Sequence, residues 1–228
     1  MDTFFKVALG LHILSGSVGL LAGTIIMILR KGGAQHRNLG KVFFFAMGGI
    51  FITSVYMSVV TQNWFLLCIG FFSFYLAASG YRVLWFKKLS RFREGPALVD
   101  HILGIGGMLA GVGMWILTIM LWKEKQSFTV VPAVFGTIGF VLSLQFYKSF
   151  RTPPIQKNYW IKAHAIRMGG AYVSTVTAFL VVNVHVEPLW LFWLLPTVIV
   201  IPLVIYQSRR FMGGRAKNKI LTAGKALI

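Results

Sequence analysis

The run from Phe4 to Leu29, FFKVALGLHILSGSVGLLAGTIIMIL, decides the fold class. Its ionisable side chains are Lys6 near the start and His12, and it ends at Arg30-Lys31-Gly32-Gly33, a basic stop followed by a turn. It exceeds the ~20 residues that cross a ~30 Å hydrocarbon core. Asp2 precedes Lys6, so there is no basic leader, and the run is longer than the apolar centre of a cleavable signal. It therefore reads as a permanent membrane helix.

Six further segments have the same character: Val42 to Thr61, Trp64 to Phe86, His101 to Trp122, Phe128 to Tyr147, Trp160 to Val184, and Leu189 to Tyr206. Across 228 residues, 57% hydrophobic content against 12% charged describes a chain whose solvent is the bilayer. The expected fold is all-α and polytopic, with a seven-helix transmembrane domain over residues 1–207 and a basic cytoplasmic tail over 208–228. Short connections leave no room for a soluble domain: Gln62-Asn63 makes a tight turn and Pro153-Pro154 an extended linker. The single Cys68 excludes an intrachain disulfide and a cysteine-rich metal site.

A net charge of +18 would suggest nucleic acid as partner in a soluble protein, but no nucleic-acid motif is present. The charges instead alternate between ends. Of the 23 Lys and Arg, all but Lys6, Lys123, Lys125 and Arg167 fall at the 1–2, 3–4 and 5–6 connections and in the tail. The positive-inside rule then places the amino terminus outside and the carboxyl terminus in the cytoplasm. The tail, from Arg209 to Lys225, is expected to lie on anionic lipid, at ~1 kcal/mol per cation near the surface.

One internal similarity is visible. His12-Ile13-Leu14 with Gly16, Gly19 and Ala22-Gly23 keeps step with His101-Ile102-Leu103 and Gly104, Gly107 and Ala110-Gly111. An offset of three helices is the arrangement of a 3+3 inverted repeat plus one helix. Against this stands the plainer reading that two glycine-rich helices align by chance, since small residues at this spacing serve close helix packing in any case.

Ionisable residues within the membrane are functional candidates by default. His12 lies in the outer half of helix 1. His36 lies in the inner 1–2 loop, His101 opens helix 4 beside Asp100, and His164 sits just inside helix 6, so these three converge on one membrane face. His164, Met168, Tyr172 and Thr175 share a helical face, with Arg167 one step round. Imidazoles from two helices can ligate a haem iron or a metal. The plainer reading has them hydrogen-bonding carbonyls or headgroups, and has Arg167 snorkelling to the surface rather than neutralising a propionate, phosphate or quinone oxygen.

At His36-Arg37-Asn38-Leu39-Gly40 and His164-Ala165-Ile166-Arg167-Met168, with His12 in the first helix, the chain resembles a bacterial family of predicted multi-pass membrane proteins of unknown function. The resemblance covers most of helices 1, 2 and 6 and implies a prokaryotic inner-membrane protein. More distantly, the intramembrane histidines are similar to those of transmembrane b-type cytochromes. That likeness implies haem b held between His101 and His164, with His12 as a further candidate, Arg167 on a propionate and the helix 4 glycines making room for the porphyrin. The paired spacings of those cytochromes are incomplete here. A second resemblance, to seven-helix ceramidase and receptor-like hydrolases, implies zinc on His36, His101 and His164 with Asp100 activating its water, although their closely spaced histidine pair is missing. A transporter of a small molecule or lipid is the third reading, supported by the repeat and opposed by the scarcity of buried carboxylates. Membrane lipids and a quinone or small-molecule substrate are the expected partners, and nucleic acid is not.

Overall fold

The computed structural model describes residues 3–87, 94–155 and 158–225, with side chains as far as Gly213. Lys88, Arg91, Arg93 and Lys157 of the basic connections, and Asp2, lie outside the described residues, as do the side chains of Arg215, Lys217, Lys219 and Lys225 in the tail. Seven helices follow: α1 Thr3–Ile28, α2 Ala34–Val60, α3 Trp64–Arg82, α4 Leu98–Lys123, α5 Val130–Arg151, α6 Tyr159–Asn183 and α7 Leu189–Lys225. Val83–Lys87 continues α3 as a 3₁₀ turn, and Ser127–Thr129 leads into α5 the same way. All seven are long and apolar enough to cross a membrane, and no strand occurs among the described residues. The chain is a multi-pass membrane protein.

Two helix boundaries differ most from the hydropathy reading. α2 begins at Ala34, so His36 stands on its first turn and not in a loop. The physical cause is the Gly32-Gly33 pair: Gly32 adopts φ +77°, which closes the turn, and Gly33 is the extended residue before the helix. Polar residues then occupy the first turn of a helix whose apolar run starts only later. At the other end of the chain α7 runs unbroken from the membrane segment through Lys225, so the tail is helical where its backbone is described.

Turn chemistry places the remaining ends. Asn63 caps α3 by accepting from Leu66 N at 3.1 Å, after Gln62 takes the left-handed conformation. The Asp100 carboxylate accepts from Ala97 N at 3.0 Å and so caps α4.

The bundle is organised around α3, which packs against α2, α4, α5 and α6. Half of its apolar window is buried, against 11% of that of α7. The core centres on Met47, Phe72, Tyr75, Leu76, Met114 and Phe135. Without a hydrophobic force between helices in lipid, close van der Waals contact must hold them, and small residues permit it. Gly111 of α4 and Gly136 of α5 meet backbone to backbone, each standing where the other's carbonyl would touch a Cβ.

The glycine faces of α1 and α4 occupy related places. Gly19 faces Ala46 and Ile50 of α2 and Thr175 of α6, while Gly107 faces Ser143 of α5 and Tyr75 of α3. His12 pairs with Thr53 of α2, and His101 with Tyr147 of α5. Both correspondences run in the sense an inverted repeat requires. The packing of α2 along α3 has no equally close counterpart between α5 and α6.

Candidate functional site

α1, α2, α6, α7 and the end of α3 enclose a cavity of about 480 Å³ at the basic end of the bundle. That size suits a cofactor or drug-sized ligand. His36 and His164 both line it, their ring centroids 6.4 Å apart at an interplanar angle of 71°. Met168 and Tyr172 line it as well, so the face shared by His164, Met168 and Tyr172 points into the cavity, as the helical spacing requires. Thr175, one turn further, is buried against Met47 of α2.

His164 is fixed by the backbone of α3. Its Nδ1–H donates to the Gly80 carbonyl at 2.8 Å. A carbonyl only accepts, so in the neutral ring the proton is on Nδ1 and Nε2 keeps a lone pair. Gly80 makes this approach possible. A Cβ there would stand 3.0 Å from Arg167 Cβ and from Met168 Cγ and Sδ, so only glycine lets α6 come this close. His36 Nδ1 is buried without a hydrogen-bond partner.

The cavity is electrostatically one-sided. Lys31, Arg37, Lys41 and Lys87 line it, and among the described residues no Asp or Glu does. Lys31 Nζ donates to Ile26 O at 2.7 Å and Met27 O at 2.9 Å, at the carbonyl end of α1 where the helix dipole favours a cation. Burial pushes its pKa below the ordinary lysine value. Gln207 of α7 donates to the same Met27 carbonyl at 3.3 Å, and Arg37 to Gly32 O at 3.0 Å. Lys87 lies 5.4 Å over the Trp160 ring. Tyr172 and Thr24 share a hydroxyl hydrogen bond of 2.9 Å across the α1–α6 wall.

Several sequence expectations are redirected. His101 does not join His164: it bonds Tyr147 of α5 at 2.7 Å, because α3 lies between α4 and α6. The pair that meets is His36 with His164. The proposed triad of His36, His101 and His164 is therefore not assembled, and among the described residues no group of three or more His, Cys, Asp or Glu is placed to hold a metal. Asp100 does not face a water-activating site. It is fully buried, and Arg82 grips both its oxygens at 2.8 Å from Nε and Nη2. The inward-facing helix 4 glycines leave no space for a porphyrin: Gly104 is covered by Tyr147, Gly107 by Ser143 and Tyr75, and Gly111 by Gly136 and Phe140.

His12 and Arg167 also lie outside the cavity lining. Thr53 Oγ1 sends its proton to α2 carbonyls, Gly49 O at 2.7 Å and Ile50 O at 3.0 Å, so it accepts from His12 Nδ1–H at 2.9 Å. His12 thus joins α1 to α2. Arg167 neither snorkels nor reaches a ligand position; it is 3% exposed and turned toward α5. Lys31 and Gln207 were missed in the sequence. Lys31 was read only as an orientation signal, and Gln207 is the polar residue just beyond the apolar run of α7.

The residues fit haem better than zinc. With metal–nitrogen bonds of about 2 Å, two imidazoles on opposite sides of one metal have centroids roughly 6 Å apart, and two on a tetrahedral ion sit closer. The observed spacing is nearer the first case, and among the described residues no third His, Cys, Asp or Glu joins the pair for the second. The chain matches no protein-family model, no curated protein and no solved structure.

Proposed function

We propose that this chain is a membrane redox protein of the bacterial inner membrane whose basic-end cavity would hold haem b, with His36 and His164 as the residues that would bind its iron. The observation that carries the reading is the His36–His164 pair, ring centroids 6.4 Å apart, in a cavity lined by four cations and, among the described residues, by no carboxylate. Haem supplies one-electron exchange. The chain's own residues do the rest: the Gly80 carbonyl orients His164, Lys31, Arg37, Lys41 and Lys87 offer charge to propionates, and apolar walls exclude water. The basic end is the cytoplasmic one in this proposal, with the amino terminus outside, because the Lys and Arg of the connections gather there. A quinol is the electron donor class that reaches such a site from the bilayer.

A visible spectrum of detergent-purified full-length protein tests the reading. A Soret band with sharp reduced α and β bands is expected, lost in His164→Ala and in His36→Ala and kept in His101→Ala. A colourless protein that cannot be loaded with hemin refutes it. The four lining cations, with no carboxylate beside them among the described residues, independently favour a second reading, in which the cavity takes an anionic lipid or other anionic amphiphile without iron. Co-purified phospholipid in a colourless sample, reduced by Lys31→Gln with Arg37→Gln, is its signature.

A further inference from the structure

Arg167 is the buried charge that the proposed ligand set does not use. It stands eight residues into α6, about 12 Å from the start of the helix, and is 3% exposed. Its guanidinium turns away from the cavity: Nη2 donates to Leu142 O at 3.2 Å, Cζ lies 5.5 Å from the Phe146 ring centroid, and Nε has no partner. Among the described residues the one ion pair is Arg82 with Asp100, so no carboxylate answers Arg167. Removing an ion from water is not recovered by one neutral hydrogen bond and one cation–π contact. For stability alone, a methionine of similar length would serve better here.

We infer that Arg167 is a functional charge, set behind His164, that biases the cavity toward an anionic occupant. Its Cβ and the Met168 side chain both rest on Gly80, the residue whose carbonyl holds His164, and Met168 lines the cavity. Arg167 is therefore the helix neighbour of a wall residue, with its guanidinium on the α5 side, and the field of that charge reaches the cavity through protein that screens it far less than water would. It acts through its field and not by contact, which makes it a positioning residue of the electrostatic kind. The occupant it favours carries net negative charge, as a porphyrin with free propionates does and its neutral diester does not. For a bound haem the same field favours the reduced iron, which carries less positive charge. The ligand class rests on the proposed function; the claim that Arg167 is not structural does not.

Full-length Arg167→Met and Arg167→Lys proteins test this in two arms. The first is thermal unfolding without added ligand. Arg167→Met is expected to unfold at a higher temperature than the wild type; unfolding at a lower temperature, or failure to fold, makes Arg167 structural and overturns the inference. The second arm titrates hemin and hemin dimethyl ester and follows the midpoint potential of the bound iron. Arg167→Met should bind hemin about tenfold more weakly, bind the ester, whose ferric centre leaves it net positive, at least as tightly as the wild type does, and lower the potential, and Arg167→Lys should restore all three toward wild type. Equal losses for hemin and ester overturn the field argument. If the wild type binds neither compound, the haem reading falls, and the first arm still decides whether Arg167 is structural.

Discussion

Gly80→Ala probes the joint between the fold and the site. The added methyl would stand 3.0 Å from Arg167 Cβ and from Met168 Cγ and Sδ, where ordinary carbon contacts lie at about 3.5–4.0 Å. Arg167 Cβ is anchored to the α6 backbone and cannot swing aside, so α6 must retreat by about 0.5–1 Å. The His164–Gly80 hydrogen bond then stretches from 2.8 Å toward about 3.5 Å, where it no longer counts as one. Overpacking costs about 1–3 kcal/mol and the lost bond about 1 kcal/mol, while the helix preference of Ala over Gly returns up to ~1 kcal/mol. A net loss of about 1–3 kcal/mol is expected, together with weaker ligand binding, because Nδ1 of His164 is released and the ring can turn. Thermal unfolding in detergent measures the first and hemin titration the second. Gly16→Ala is the control, since a Cβ there meets nothing within 4 Å. If the two variants unfold alike and bind alike, Gly80 does not set the α3–α6 approach and the argument fails.

Asp100→Asn breaks the buried pair with Arg82 and should destabilise the protein by about 3 kcal/mol while leaving the cavity's ligand in place; a change below ~1 kcal/mol would mean the pair is not a structural tie. Lys31 has its pKa lowered by burial, so between that value and the ordinary one the unfolded chain binds a proton the folded chain does not. Stability therefore rises with pH through that window, and Lys31→Met should remove the rise when unfolding is followed from neutral to alkaline pH. Cysteines at Gln62 and Glu187 should label with an impermeant reagent in intact cells and one at Arg215 should not; labelling at Arg215 reverses the proposed orientation.

Much of the fold was legible in the chain because the signals that specify it are summed locally. A helix is membrane-spanning when some twenty consecutive residues are apolar, whatever lies beside it, and seven such runs became seven helices. Cation placement at the connections is likewise a property of single segments. The local face of α6 followed from helical periodicity, and His164, Met168 and Tyr172 do line the cavity together. The start of α2 was read eight residues late because hydropathy tracks lipid contact, whereas the helix begins where Gly32-Gly33 allows the turn.

The identity of the facing histidines depended on which helix stands between which, and nothing local carries that. His36, His101 and His164 all lie toward one end of the bundle, so depth alone made any pair as good as another. The tertiary structure separates them by inserting α3 between α4 and α6, sending His101 to Tyr147 and leaving His164 to His36. The choice rests on steric detail, a glycine at position 80 that lets α6 close on α3 and glycines at 104, 107 and 111 that are filled by neighbours. The same packing turned Arg167 from the cavity to α5. Hydropathy and charge are properties of one segment and can be read along the chain; which side chains share a cavity is a property of at least three helices at once, and only their packing decides it.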